Sequence, residues 1–396
     1  MRSMTTAVEL ARRAEELFRG EPRIFRAPGR VNLIGEHTDY NDGFVMPAAV
    51  ELSTWVAVVP RKDRKLLLQS EDLSATREFD LDDPASRPGG DWSDYVRGVA
   101  LALGASGRFL RGAGLFIRSE LPLGVGLASS AALEVASGLA LLANSGVVAG
   151  RVELAKLCQR AENDFVGARC GIMDQFISCC ALAGHALLLD CRSLDSRLLP
   201  LPADLRLVIC NSMIEHRVSS GEYNARRLEC EELVRCLSPL VPGLQTLRDL
   251  TLEELDRCRG SLAETLFRRA RHVVTENSRV LDAARALESG DAPAFGRLMG
   301  ESHRSLRDDY QVSCLELDTL VDLASKAEGV IGGRMTGAGF GGCTVNLVRV
   351  ACVESFRQSV SLGYERATGR KPEIYVCSAA EGAGEVLPAK TERIAP

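Results

Sequence analysis

The chain has 396 residues, which is long for a single core and suits two domains or one large two-lobed unit. It is 46% hydrophobic and 26% charged, a composition that excludes both a disordered chain and a membrane-embedded one. The formal net charge of −5 provides no general attraction to nucleic acid or anionic lipid, so we expect neither as a partner.

Two features predict a cytoplasmic protein. The thirteen cysteines are scattered without CxxC pairs, which argues against a zinc site and a disulfide framework and suggests a reducing compartment. The N-terminal segment MRSMTTAVELARRAEELFRG contains the acids Glu9, Glu15 and Glu16, which transit peptides avoid, and it has no apolar core for a signal peptide. No run approaches the ~18 apolar residues of a membrane span.

The first predicted elements are a helix and several short strands. The N-terminal segment is periodic as an amphipathic helix, and its mostly apolar stripe is expected at Val8, Ala11, Ala14, Glu15 and Phe18. Strand-like segments follow, rich in β-branched and aliphatic residues and separated by Gly, Pro and Asp; they are IFRAP, VNLIG, STWVAVVP and KLLLQS. A surface loop is predicted at 80–91, followed by a helix in DWSDYVRGVALAL and a strand in GLFIRSELP.

A dense polar segment overlaps the second of these strands. GRVNLIGEHTDYN, residues 29–41, places five hydrogen-bonding side chains close together: Arg30, Glu36, His37, Asp39 and Asn41. Such a loop could bind a metal, bind a polyhydroxylated ligand, or cap its own backbone. The metal site is the weakest alternative, because no HExxH pattern or second histidine lies at ligand spacing.

A glycine-rich turn leads into an apolar helix at PLGVGLASSAAL, residues 122–133. It fits neither the Walker pattern nor GxGxxG, yet it has the character of an anion cradle. Gly124 and Gly126 permit positive φ and close backbone approach, and Ser129 and Ser130 lie where the helix opens with unpaired N–H groups. The alternative is a tight turn with serine as the helix cap.

A carboxylate in a partly apolar setting follows at CGIMDQF, residues 170–176. Asp174 could act as a base towards a hydroxyl if a cation keeps it ionised. The alternative is that Asp174 caps the helix QFISCCAL, and the local sequence favours that alternative.

The second half of the chain returns to strands in HALLLDC and LRLVICNS, with a weakly marked domain boundary near 190–205. A long helical region is predicted at 222–290. TGAGFGG, residues 336–342, then forms a glycine-rich turn entering a strand, and IYVCSA forms a closing strand. The irregular alternation of helices and strands favours an α+β fold over a doubly wound parallel sheet.

Taken together, GRVNLIGEHTDYN, PLGVGLASSAALE, GIMDQF and MTGAGFGGCT resemble, in order and spacing, the motifs of the GHMP small-molecule kinases. The first is similar to the signature of the galactokinase branch. The resemblance covers nearly the whole chain and implies two α+β lobes, residues 1–195 and 196–396, with the active site in the cleft between them. It also implies transfer of the γ-phosphoryl group of ATP to the C1 hydroxyl of α-D-galactose, the entry step of galactose breakdown.

The same resemblance assigns roles to single residues. It makes Asp174 the catalytic base and Arg30 the arginine that keeps it ionised and stabilises transition-state charge. It makes Ser130 and Glu162 the ligands of Mg²⁺, an ion that prefers oxygen. Without it, Glu162 would be taken for a solvated helix acid. The implied nucleotide contacts comprise the glycine-rich turn and two residues near the base: Gly124, Val125, Gly126, Leu127, Ala128, Ser129 and Ser130, then Ser70 and Trp92.

Six residues are assigned to the sugar by the resemblance: Glu36, His37, Thr38, Asp39, Gly171 and Tyr223. Asp39 is expected to hold the C3 and C4 hydroxyls, and Glu36 with His37 the C6 hydroxyl. A buried hydroxyl without a partner costs about 1–3 kcal/mol, which makes such a pocket selective between epimers.

The chain departs from the family pattern at two positions. Ala128 stands where most relatives have serine, which should cost at most one side-chain hydrogen bond to phosphate. Ala338 stands where glycine is usual, which matters only if that position needs positive φ.

Other members of the family remain as alternatives. An N-acetylgalactosamine kinase or an arabinokinase would share the motifs, but Thr38 is the galactokinase-like residue where kinases of the N-acetylated sugar carry a bulkier aliphatic. A non-catalytic sugar sensor would lack a Ser-Ala pair in the glycine-rich turn, whereas Ser129, Ser130 and Ala131 are all present. We expect a monomer.

Overall fold

A computed structural model of the protein describes residues 2–83, 87–214 and 221–386. Residues 84–86 of the predicted loop at 80–91 lie outside the described residues. Within that part of the chain, helices alternate irregularly with mostly antiparallel strands, which confirms the α+β prediction. No helix in it is long and apolar enough to cross a membrane.

Eleven α-helices lie in the described ranges. The helices predicted at the N-terminus, after Trp92 and after the first glycine-rich turn are all present. The helical region predicted at 222–290 is divided into three helices, with Pro242 and Gly243 in the break after the first. The helices are α1 (Arg2–Phe18), α2 (Ser93–Ala105), α3 (Ser129–Ser145), α4 (Arg151–Arg160), α5 (Met173–Cys180), α6 (Gly221–Leu237), α7 (Leu252–Arg257), α8 (Glu264–Glu288), α9 (Ala292–Ser305), α10 (Leu315–Ser325) and α11 (Val353–Thr368).

The strands of the described chain form three sheets. They are β1 (Arg23–Asn32), β2 (Phe44–Val45), β3 (Pro47–Pro60), β4 (Lys65–Ser70), β5 (Ala75–Asp80), β6 (Ala113–Ser119), β7 (His185–Asp190), β8 (Ser196–Pro200), β9 (Leu205–Asn211), β10 (Val330–Thr336), β11 (Cys343–Arg349), β12 (Glu373–Cys377) and β13 (Gly384–Val386). The sheet orders are β13-β1-β3-β6-β4-β5, β10-β11-β9-β12 and β2-β7-β8. Among the strands of the described ranges, only β4 and β6 pair in parallel. Both β8 and β13 therefore join strands from the first half of the chain.

Strand β1 positions the first glycine-rich turn. IFRAP and VNLIG, predicted as separate strands, lie largely in β1, which has a register shift between Pro28 and Arg30. A Cβ at Gly29 would lie 2.6 Å from the carbonyl oxygen of Leu127, and the Arg30 N–H donates to that oxygen at 3.1 Å. The glycine thus lets the turn pack directly against the strand that carries Arg30.

The buried face of α1 differs from the predicted stripe. Ala7, Leu10 and Ala14 are buried against Ile24 and neighbouring strand residues, whereas the Val8 side chain is 44% exposed. The apolar period is correct and Ala14 lies on the buried face as predicted, but the prediction placed Val8 and Glu15, which are both exposed, on that face as well. Helical spacing alone does not fix which of two adjacent stripes faces the sheet, because that depends on how the helix packs across the sheet.

Candidate active site

One cleft of about 930 Å³ brings together most of the residues predicted for the site. Its walls come from the loop after β1, the glycine-rich turn before α3, the start of α5 and the glycine-rich turn between β10 and β11. The predicted residues that line it are Arg30, Glu36, His37, Asp39, Trp92, Gly124, Gly126, Leu127, Ala128, Ser129, Ser130, Glu162, Gly171, Asp174 and Tyr223.

A two-pronged ion pair lies in this cleft. Arg30 Nε donates to Asp174 Oδ1 at 2.8 Å and Arg30 Nη2 donates to Oδ2 at 2.7 Å, while Nη1 donates to the Gly126 carbonyl. The guanidinium is buried, whereas the Asp174 side chain keeps 25% of its exposure. The predicted cap role of Asp174 is wrong, because α5 begins at Met173 with Ile172 as its N-cap residue. The carboxylate instead faces the cleft and is held by a fork of charged donors.

The loop of residues 35–43 is named the sugar loop for its predicted role. It reaches across to the second glycine-rich turn, between β10 and β11. Glu36 accepts from Asn32 Nδ2 at 2.6 Å and from the Gly337 N–H. His37 Nε2 lies 3.1 Å from the Ala338 carbonyl oxygen, so this nitrogen bears the proton, and Nδ1 accepts from the Tyr40 hydroxyl at 2.8 Å. Burial lowers the pKa of His37 to about 3, so the ring is neutral at physiological pH.

Asp39 is the carboxylate of the sugar loop that lies closest to Gly171. A Cβ at Gly171 would fall 1.9 Å from Asp39 Oδ2, so only glycine leaves room for this carboxylate. Burial, together with the negative charges of Asp174 and Glu36, raises the pKa of Asp39 to about 7. The Asp39 carboxyl group therefore titrates near neutrality.

Thr38 is placed differently from the other predicted sugar residues. Its side chain is fully buried and does not line the cleft. The hydroxyl lies 2.9 Å from the carbonyl oxygen of Gly35 and 2.7 Å from that of Phe44. The Thr38 hydroxyl, predicted to bind the sugar, is therefore bonded within the protein. The structure gives Thr38 a role in closing the loop.

The two glycine-rich turns pack on each other through their backbones. A Cβ at Gly337 would lie 2.8 Å from the Gly126 carbonyl oxygen, and one at Gly342 would lie 2.6 Å from that of Val125. Val125, predicted to contact the nucleotide, is buried and is not among the residues that line the cleft.

The two departures from the family pattern have different consequences. Ala338 is not among the residues with positive φ, so its Cβ adds no strain there. Ala128 has φ 59° and ψ 42°, the left-handed conformation, immediately before α3 begins at Ser129. A Cβ in that conformation costs roughly 1–2 kcal/mol, so Ala128 carries backbone strain that the sequence does not reveal.

Oxygen ligands suitable for a magnesium ion lie where the start of α3 meets the helical turn of residues 161–166. The Ser130 hydroxyl bonds to the Glu162 carboxylate, and Gln175 Nε2 donates to both Glu162 Oε2 at 2.6 Å and Glu134 Oε2 at 3.0 Å. Glu134 is fully buried, and its Oε1 has no hydrogen-bond partner in the described structure. Burial raises the pKa of Glu162 to about 7. A divalent cation would compensate this concentration of buried carboxylates, so the residues fit Mg²⁺.

No group of three or more His, Cys, Asp or Glu in the described residues is arranged to hold a metal alone. Hydroxyl and phosphate oxygens would therefore have to complete the coordination. The sequence interpretation missed Glu134, although a signal was present: it lies four residues after Ser130 on an otherwise apolar helix.

A second cavity of about 410 Å³ adjoins the first. Ser70 and Trp92, the two residues predicted near the nucleotide base, both line it, and Trp92 also lines the main cleft. Hydroxyl, aromatic and carboxylate side chains contribute to its wall. The cavity is therefore suited to a flat, polar-edged group connected to the cleft.

Three family models match the chain. They describe a galactokinase galactose-binding signature over residues 15–60, a GHMP kinase N-terminal domain over residues 94–182 and a GHMP kinase C-terminal domain over residues 283–349.

Similar proteins match over almost their full length. The chain is 49% identical to a galactokinase of Roseiflexus sp. (strain RS-1) over 380 residues, covering 96% of this chain and 97% of the relative. It is 50% identical to a galactokinase of Chloroflexus aggregans over 382 residues, covering 96% and 98%. A crystal structure of Lactococcus lactis galactokinase complexed with galactose superposes with a TM-score of 0.92 at 39% identity, covering 96% of this chain and 99% of that one. The chain therefore belongs to the galactokinase family of the GHMP kinases and has their two-lobed fold.

Proposed function

We propose that the cleft transfers the γ-phosphoryl group of ATP to the C1 hydroxyl of α-D-galactose, producing galactose 1-phosphate and ADP in the first step of galactose catabolism, the Leloir pathway. The observation that carries this proposal is the Arg30–Asp174 ion pair, which lies in one cavity with the glycine-rich turn and with Asp39. A base, an anion cradle and a group of hydroxyl acceptors are the three parts that a sugar kinase needs.

Asp174 and Arg30 form the catalytic pair of this proposal. Asp174 accepts the proton of the C1 hydroxyl as the sugar oxygen bonds to the γ-phosphorus and the bond to the β-phosphate oxygen breaks. Arg30 holds the carboxylate by both oxygens and places positive charge beside the transferring group. Phosphoryl transfer depends mainly on such positioning and charge stabilisation.

The glycine-rich turn and the opening of α3 bind the phosphates in our proposal. Residues 124–130 present backbone N–H groups, and Gly124 and Gly126 have φ values of 69° and 82°, which allow close approach. Ser70 and Trp92 hold the base in the second cavity. Ser130 and Glu162 would hold Mg²⁺, which supplies charge neutralisation on the phosphates when it is bound.

The sugar pocket is formed by Glu36, His37, Asp39, Gly171 and Tyr223 in this proposal. Asp39 is the acceptor for the C3 and C4 hydroxyls, because its carboxylate keeps lone pairs beyond the backbone N–H of Tyr40. Glu36 and His37 are already bonded to the second half of the chain. Glu36 contributes to the C6 hydroxyl site with its remaining acceptor capacity, and His37 contributes by exchanging the Tyr40 hydrogen bond at Nδ1 for one from that hydroxyl.

We also propose lobe boundaries at residues 1–195 and 196–396, a cytoplasmic location and a monomer. All thirteen cysteines are free thiols, which suits a reducing compartment. Strands β8 and β13 complete sheets of the first lobe from the second.

A sugar panel tests this function. Purified protein with Mg-ATP should release ADP with galactose, and hardly at all with glucose, N-acetylgalactosamine or mevalonate. Asp174→Asn should abolish turnover while galactose binding remains measurable by calorimetry. Asp164→Asn is the matched control, because Asp164 is an exposed aspartate in the helical turn that follows α4. It should leave turnover unchanged. ADP release with mevalonate but not galactose would refute the substrate, and full turnover by Asp174→Asn would remove that residue from the mechanism.

A further inference from the structure

The middle of helix α8 contacts both ends of the sugar loop. We propose that His272, Glu276 and Asn277 of this helix are positioning residues for the sugar site, which they hold through the main chain of the sugar loop. This inference rests on the proposed function, since it assumes that the loop binds galactose. None of the three side chains lines the cleft, so they act through the loop and not on the substrate.

The contacts bind three main-chain groups at the two ends of the loop, at Gly35 and Glu36 and at Phe44, the residue that follows it. Glu276 Oε1 accepts from the Gly35 N–H at 2.9 Å, and Asn277 Oδ1 accepts from the Phe44 N–H at 2.9 Å. His272 Nε2 lies 3.1 Å from the Glu36 carbonyl oxygen. A carbonyl can only accept, so His272 donates this hydrogen bond. The loop is thus held at its beginning and at its end by side chains of two adjacent helical turns.

Two glycines allow the loop to lie this close to the helix. A Cβ at Gly43 would lie 2.4 Å from Asn277 Oδ1. A Cβ at Gly35, where φ is +99°, would lie 2.9 Å from Val280 Cγ2. A larger residue at Gly43 would collide with Asn277. One at Gly35 would collide with the Phe44 carbonyl oxygen at 2.7 Å as well as with α8, which gives a physical reason for glycine at both positions.

The charges around α8 keep these contacts in one state at neutral pH. Burial alone would raise the pKa of Glu276, but Arg279, whose Nε donates at 2.7 Å, and further positive groups hold it at about 2. Burial lowers the pKa of His272 to about 4, so the ring is neutral. Its Nδ1 then accepts from the Ser305 hydroxyl at 2.9 Å while Nε2 donates. The helix therefore presents a fixed pattern of acceptor and donor to the loop.

The expected consequence is selective for the sugar. Glu36, His37 and Asp39 project into the cleft from the segment that α8 holds, whereas the nucleotide residues lie on α3 and its preceding turn. Loosening the loop should therefore weaken galactose binding and leave nucleotide binding nearly unchanged. A purely structural role for α8 would instead lower the thermal stability and affect both substrates together.

Asn277 provides the sharpest test, with matched variants in the full-length protein. Asn277→Ala removes the acceptor for the Phe44 N–H, whereas Asn277→Asp keeps a carboxyl oxygen in the same place. The Asn277 amide nitrogen has no hydrogen-bond partner in the described structure, so Asn277→Asp loses no hydrogen bond at that nitrogen. Ser278→Ala, at the exposed neighbour on α8, is the control. We expect Asn277→Ala to raise the calorimetric Kd and the KM for galactose about tenfold, with the KM for ATP within about twofold.

Asn277→Asp should restore most of the affinity, and Ser278→Ala should behave as wild type. Equal galactose affinity in Asn277→Ala and wild type would overturn the inference, as would a parallel rise in the KM values of both substrates. Hydrogen exchange on the wild-type protein gives a measurement that needs no variant. The Phe44 amide should exchange as slowly as amides inside α8, and exchange at the rate of an exposed loop would overturn the proposed contact. If the wild type binds no galactose at all, the proposed function itself fails.

Discussion

The pKa of Asp39 predicts that galactose binding depends on pH close to neutrality. Burial and the charges of Asp174 and Glu36 raise this pKa to about 7, against the smaller opposing effects of the Tyr40 N–H and of Arg30. In the proposed function the ionised carboxylate accepts hydrogen bonds from the sugar. Protons and galactose should therefore compete for the same oxygens.

The size of the effect follows from the titration. With a pKa of about 7, roughly one tenth of the empty protein carries an ionised Asp39 at pH 6 and roughly nine tenths at pH 8. If only the ionised form binds, the apparent Kd for galactose should be about tenfold higher at pH 6 than at pH 8. At pH 7, binding should release about half a proton per sugar.

The assay is isothermal calorimetry of galactose without nucleotide or Mg²⁺, so that no proton displaced from Glu162 by Mg²⁺ binding adds to the signal. Repeating the titration in two buffers of different ionisation enthalpy measures the protons released. Asp39→Asn should bind more weakly, with a Kd that no longer varies between pH 6 and pH 8. A wild-type Kd that is flat over this range, with no proton release, would refute the reasoning.

The same shift has a consequence for stability. The pKa of Asp39 is raised from 3.8 to about 7 on folding, so the folded state binds the proton more tightly. The stabilisation from the protonated group is complete below about pH 4 and is lost as the pH rises to about 7. Asp39→Asn should therefore increase the free energy of unfolding more at pH 8 than at pH 5, which urea denaturation at the two pH values can measure.

Two further variants test the charge pair and the strained turn. Arg30→Lys keeps the positive charge but loses the two parallel hydrogen bonds that hold both Asp174 oxygens. The kcat should therefore fall about 10²–10³-fold, while the galactose Kd changes little. A kcat within threefold of wild type would contradict the proposed role of Arg30. Ala128→Gly removes a Cβ from a residue at φ 59° and should stabilise the protein by about 1 kcal/mol, raising Tm by roughly 2 °C in differential scanning calorimetry. Ala131→Gly, inside α3, is the control and should lower Tm; a fall in Tm for both variants would show that Ala128 is unstrained.

Local sequence predicted many of the helices and strands in the described ranges. The periodicity of α3 and the glycines before it predicted a glycine-rich turn that leads into a helix, and the structure has that turn and that helix. The resemblance of four motifs located the cleft residues before any contact was known. Both kinds of information reside in short segments, because helical period, turn chemistry and motif spacing are properties of neighbouring residues.

Contacts between distant parts of the chain decide which hydrogen-bond partners individual side chains have. Asp174 was expected from its neighbours to cap a helix, yet Arg30, 144 positions away, holds it in the cleft. Thr38 was expected to bind sugar, yet it is turned to the Phe44 carbonyl.

The α8 contacts with the sugar loop span more than 230 positions and have no local sequence signal. Short-range patterns determine which groups a segment can offer. Only the packing of the two lobes determines which partners those groups meet. Those partners in turn set the pKa of Asp39, the strain at Ala128 and the position of the sugar loop.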